Sequence, residues 1–142
     1  MVKNQSLALA GRKAVVTGSS RGIGHSIALA LAQAGADVAV TARSLPELEE
    51  LADQIRSLGR HSLVVTCDVT DPAQVKQMAT EVIEGLDRVD ILVNNAGGGG
   101  SHKFLDHPDD LWHGTLNLNL TSVYYVTKAF APTMVEQRWG RI

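Results

Sequence analysis

Residues 17–24, TGSSRGIG, place Gly18, Gly22 and Gly24 in the spacing G-x-x-x-G-x-G. They follow a short apolar run, Lys13–Thr17, and open a segment of helical periodicity. At such a strand-to-helix turn, backbone N–H groups and the helix dipole converge on negative charge, which makes a phosphate cradle. Glycine lets the backbone approach a pyrophosphate where a bulkier residue would block it. The spacing is not the common G-x-G-x-x-G, and on its own it also fits a plain tight turn.

A second place for phosphate chemistry lies at the end of the next β-branched run, Val38–Ala42. In dinucleotide-binding units an acid about 20 residues past the glycine turn binds the ribose 2′-hydroxyl. Counting from Gly18 reaches Asp37, but Asp37 starts the run, and ligands bind at the carboxyl ends of strands. Asp37 therefore reads as a solvated residue ahead of a strand. The carboxyl end is Thr41-Ala42-Arg43-Ser44, with an arginine and no acid. A guanidinium matches a phosphate bidentately. Arg21, inside the glycine turn, could reach the same group. Two cations without a carboxylate favour NADP(H). The alternative for Arg43 is an aliphatic stem along the surface with its charge in water.

Other reactive side chains read as bland. His102, His107 and His113 lie near Asp106, Asp109 and Asp110, but their spacings do not put the imidazoles on one helical face, and no HExxH pattern occurs. No metal site is expected. Cys67, the lone cysteine, reads as a small core residue at the end of a buried strand.

The elements that must position these residues alternate. A helix is expected over Gly22–Ala34, with Ile23, Ile27, Ala30, Leu31 and Ala34 on its apolar face and Gly35 at its end. Leu45–Leu58 is a second helix, striped by Leu45, Leu48, Leu51, Ala52, Ile55 and Leu58 and closed by Gly59. Leu63–Thr66 is a third strand. Asp71 is an N-cap with Pro72 at the first helical position. Val75, Met78, Ala79, Val82, Ile83 and Leu86 mark the third helix. Ile91–Val93 is a fourth strand, followed by the glycine loop 97–100. A last helix runs from Asp109 to about Gln137, and Gly140-Arg141-Ile142 resembles the first step of a fifth strand. The order β-α-β-α-β-α-β-α with short continuous apolar strands predicts α/β architecture: a doubly wound, Rossmann-type parallel sheet.

The bulk numbers agree. The 142 residues are 44% apolar and 20% charged, with a net charge of −2. That supports one globular domain, residues 1–142, and gives no electrostatic case for nucleic acid or an anionic membrane. No apolar run is long enough for a signal peptide core or a membrane helix, so the expected location is the cytoplasm.

Four motifs in order, Thr17-Gly18-x-x-x-Gly22-x-Gly24, Asp68-Val69, Asn94-Asn95-Ala96-Gly97 and Asn119-Leu120-Thr121, resemble the short-chain dehydrogenase/reductase family over Leu9 to Ile142. Within it the chain looks most like the 3-oxoacyl-acyl carrier protein reductases. The resemblance implies that Gly18, Ser20, Arg21, Ile23 and Gly24 line the pyrophosphate and nearby ribose. Asp68 and Val69 would hold the adenine. Asn95, Ala96 and Gly97 would lie under the cofactor and brace the sheet. Asn119 would be the catalytic asparagine, kinking its helix to help hold a proton-relay water. The implied reaction is NADP(H)-dependent hydride transfer to a carbonyl or from a secondary alcohol, by a homo-oligomer.

The family's serine and its Y-x-x-x-K pair follow the fifth strand, so the 142 residues read as a cofactor-binding part, incomplete at the C-terminus. A non-catalytic dinucleotide-binding module or an inactive fragment is the alternative. Tyr124 and Lys128 share the Y-x-x-x-K spacing but lie too close to Asn119; Tyr124 and Tyr125 read as helix-face packing and Lys128 as solvated.

Overall fold

The computed structural model describes residues 7–142. Four strands, β1 (Lys13–Thr17), β2 (Asp37–Ala42), β3 (Ser62–Thr66) and β4 (Ile91–Val93), form a parallel sheet in the order β3-β2-β1-β4. The connecting helices are α1 (Gly22–Gln33), α2 (Leu45–Ser57) and α3 (Pro72–Leu86). A further stretch carries α4 (Asp109–Leu116) and α5 (Ser122–Glu136). The chain steps outward from β1 to β3, then returns to the other side of β1. That reversal makes the β1/β4 crevice the switch point of a doubly wound sheet.

Alternation along the strands builds two cores. Ala14, Val16, Val38 and Val40 face α1 and α2 with Leu48, Leu51 and Ile55. Val15, Ala39 and Leu92 face α3 and α5 with Val75, Met78, Val82 and Phe130. Side chains on both faces are buried, as helices on both sides require.

Three expected details are corrected. On α1 the fully buried positions are Gly24, Ala28 and Ala32; of the expected stripe Ile27 and Leu31 pack half-buried against the core, while Ile23 is 75% exposed. Small residues let the helix approach the sheet closely. A Cβ on Gly24 would stand 2.4 Å from Asn95 Nδ2 and 2.5 Å from the Gly18 oxygen. On α2 the stripe holds at Leu48, Leu51, Ala52 and Ile55, while its end members Leu45 and Leu58 point outward where the helix runs past the sheet. The last helix is interrupted: Asn117–Thr121 forms a π turn in which the Ser122 N–H reaches the Asn117 oxygen. The turn contains Asn119, where the motif resemblance implies a kink, although the pattern of residues alone reads as one continuous helix.

Asp71 caps α3, accepting from the Ala73 N–H at 2.9 Å and the Gln74 N–H at 3.4 Å. Arg141 forms a parallel bridge with Ile91 on the free side of β4: the Leu92 N–H donates to the Arg141 oxygen at 2.9 Å. No helix among the described residues is long and apolar enough to cross a membrane.

Candidate cofactor site

The glycine turn is held by β1's last residue. Thr17 is buried at the carboxyl end of the strand. Its Oγ1 accepts the N–H groups of Asn95 (3.1 Å) and Ala96 (3.0 Å) and lies 3.4 Å from the Val93 oxygen. The Asn95 amide donates in return to the Thr17 and Gly18 oxygens, both at 3.0 Å. Gly18 has φ +63°, and a Cβ there would stand 2.8 Å from Ala96 Cα. Gly18, Gly24, Asn95 and Ala96 therefore converge across the switch point and interlock. Ser19 ties the turn to β2: its N–H donates to the Thr41 oxygen at 3.1 Å and its Oγ accepts the Thr41 N–H at 3.0 Å. Thr17 and Ser19 are site-building residues beyond those assigned from the sequence. Their signal was there, hydroxyls on either side of a strand-end glycine.

On the open side, the start of α1 has the make-up of an anion site. No side chain caps it, and its first turn holds no acid. Gly22 has φ +60°, and a Cβ there would meet nothing within 4 Å. The half-buried Ser20 and the exposed Arg21 and Ile23 border that space. Space, free N–H groups and a cation are what a pyrophosphate requires.

Gly97 and Gly98 continue from β4 to meet Asn119. The Asn119 Oδ1 accepts the Gly98 N–H at 3.1 Å, and its Nδ2 donates to the Gly98 oxygen at 2.6 Å and the Thr115 oxygen at 2.9 Å. The π turn explains the last bond. It shifts backbone donors by one residue, and the side-chain amide takes a carbonyl of the preceding turn. Asn119 thus braces the glycine loop against the interrupted helix.

The side of the crevice beyond the glycine turn is set by β2. Arg43 and Arg21 are exposed, and neither lies within 4.0 Å of a carboxylate oxygen among the described residues. Asp68, past β3, accepts the Thr70 hydroxyl (2.7 Å) and N–H (3.0 Å). These bonds, with the charge of Arg43 added, hold its carboxyl below the usual range despite partial burial. Val69 beside it is buried in the core. Sequence reasoning missed one acid. Glu47, in the first turn of α2, accepts the Ser44 hydroxyl. That bond first, then its own N–H and the charge of Arg21, lower its carboxyl.

Several singled-out residues stand apart. Asp37 is structural, not merely solvated. It pairs with Lys13 at 2.5 Å and accepts the His61 N–H at 2.9 Å, at the opposite end of the sheet. Burial pushes its carboxyl up, but these partners and the charge of Arg60 bring it below the ordinary value. Burial first, then the charges of Asp68 and Asp71, push the Cys67 thiol up to about 11. Tyr124 is 57% exposed, contrary to a packing role, and accepts a hydrogen bond from Lys128 Nζ at 3.1 Å, while Tyr125 packs on the core. The His102 and His107 rings lie 5.3 Å apart.

Known proteins share this arrangement. The oxidoreductase UcpA of Escherichia coli K12 is 40% identical over 134 residues, which cover 94% of this chain and 51% of UcpA. A metagenomic short-chain oxidoreductase solved with NADP superposes with a TM-score of 0.88 at 36% identity, over 94% of this chain and 61% of its own. NAD+-bound xylitol dehydrogenase superposes with a TM-score of 0.90 at 32% identity, over 94% and 52%. The chain spans about half the length of the curated relatives it matches. Residues 12–142 match the family model described as short chain dehydrogenase, and on that match the chain belongs to the short-chain dehydrogenase family.

Proposed function

We propose that these residues form the cofactor-holding part of an NADP(H)-dependent oxidoreductase acting on a carbonyl or secondary alcohol. The observation that carries the NADP(H) preference is the pair Arg21 and Arg43 at the carboxyl end of the sheet, without a carboxylate in ion-pair contact among the described residues. Such guanidiniums suit a 2′-phosphate. Family relatives hold NADP in one solved structure and NAD+ in another, so membership alone does not choose between them.

In this reading Gly18, Ser20, Arg21, Ile23 and Gly24 hold the pyrophosphate and nearby ribose. Asp68 and Val69 flank the adenine. Asn95, Ala96 and Gly97 form the floor. When bound, the nicotinamide supplies the hydride donor or acceptor. Asn119 keeps the Gly98 backbone and the interrupted helix in place beside the reacting carbonyl. The protein works in the cytoplasm as a homo-oligomer.

The test is turnover. Protein isolated at its natural length from its source cells should oxidise NADPH in the presence of a panel of simple ketones, with slower use of NADH. Saturable NADPH binding without turnover on any carbonyl would favour a non-catalytic dinucleotide-binding module.

A further inference from the structure

Resting on the NADP(H) reading above, we propose that Glu47 is a specificity-determining residue: its carboxylate competes with the 2′-phosphate for the Ser44 hydroxyl, and so restrains NADP(H) affinity.

Ser44 directly follows Arg43 and is the N-cap of α2. An N-cap serine ordinarily accepts from an N–H of the first helical turn, and the spacing Ser44-x-x-Glu47 fits the reciprocal capping box. Here the geometry differs. No side chain caps α2, and the Ser44 hydroxyl donates to Glu47 instead. The serine beside Arg43 is therefore already held by an anion. That anion belongs to the protein and stands where a 2′-phosphate would seek the same hydroxyl.

The charges give the same direction. Ser44, the Glu47 N–H and Arg21 all favour the ionised carboxylate, so Glu47 carries its charge at neutral pH. A phosphate seeking the Ser44 hydroxyl must approach that like charge. Arg43, like Arg21, is beyond ion-pair distance of any carboxylate among the described residues, and its charge also favours the Asp68 carboxylate. At Ser44 the moderating anion is Glu47. A cofactor without the 2′-phosphate meets neither the gain nor the penalty, so Glu47 acts on the difference between NADPH and NADH.

The experiment is calorimetric titration of the full chain with NADPH and with NADH, for the wild type, Glu47→Gln, Ser44→Ala and the double variant. Glutamine keeps the size of the side chain and suits the first turn of a helix, and circular dichroism checks that each variant is folded. The expected result is about three- to fivefold tighter NADPH binding by Glu47→Gln, the scale of one exposed charge contact, with NADH unchanged. Ser44→Ala should weaken NADPH more in the Glu47→Gln background than in the wild type, because a neutral amide oxygen holds the hydroxyl less firmly than a carboxylate does. A wild type that prefers NADPH, with Glu47→Gln unchanged or weaker, overturns the role of Glu47 and leaves the cofactor reading standing. A wild type that binds NADPH and NADH alike overturns the cofactor reading itself.

Discussion

The two ends of the sheet use the same residue types in opposite ways. At the amino end, Arg12 (3.3 Å) and Arg88 (3.2 Å) close on Asp90, which also accepts the Lys13 N–H at 2.8 Å. Lys13 pairs with Asp37, and Arg12 stacks 3.6 Å from the Trp139 ring centroid. At the carboxyl end, Arg21 and Arg43 extend from the turns without an ion pair among the described residues, beside glycines and free helix N–H groups. Paired cations around a buried acid hold chain segments together. Unpaired cations beside open backbone donors are suited to an external anion. The difference separates a fastening from a candidate binding site.

The largest expected effect breaks the fastening. Asp90→Ala leaves two arginines and the Lys13 N–H without their shared acceptor, and urea unfolding should show a loss of about 3 kcal/mol. A loss under about 0.5 kcal/mol, the size of an ordinary surface change, would mean the cluster contributes little. Gly24→Ala attacks the other end. The added methyl collides with Asn95 and the Gly18 carbonyl, and overpacking of this kind costs about 2 kcal/mol. NADPH binding should fall with it, whereas Asp90→Ala should spare binding wherever the protein remains folded. If both variants lose stability and neither loses binding, the division between the two ends is wrong.

Smaller effects sharpen the picture. Asp37 has a lowered folded pKa, so its contribution is complete above its unfolded value of about 3.9 and is lost as pH falls through the lower folded value. Asp37→Asn should flatten the acid limb of a stability–pH curve in that window while leaving the neutral-pH preference between cofactors unchanged. Cys67 should be the least eventful: with its thiol at about 11, alkylation at pH 8 should be slow in the folded chain and fast in urea. Equal rates would show that the strand end is open.

Much of the frame was legible because strands buried on both faces read as apolar runs, and β1 and β4 fall where the runs do. Asp71 and Pro72 announced their helix by local chemistry alone. The face of α1 was legible only in part: Ile27 and Leu31 do pack on the core, but the closest contacts are made by Gly24, Ala28 and Ala32, whose value is smallness. The π turn was foreshadowed only as a kink at Asn119 through the motif resemblance, while the run from Asp109 to Gln137 read as one continuous helix. At the site, Gly18 stood out by the glycine spacing and Asn95 and Asn119 through the family motifs, and the structure brings Gly18 to Asn95 and Asn119 to Gly98. Thr17 stood in the motif without a role, because that role arises from a partner 78 residues away, and Glu47 was passed over beside Ser44.

The central claim is that the carboxyl end of β2 receives a 2′-phosphate on Arg43. Dissociation constants of NADPH and NADH for the wild type and Arg43→Ala test it most directly. The account predicts tighter NADPH binding by the wild type, and a roughly tenfold loss for NADPH alone in Arg43→Ala, as for one charge-assisted contact. Equal losses for both cofactors, or no loss for either, would contradict it.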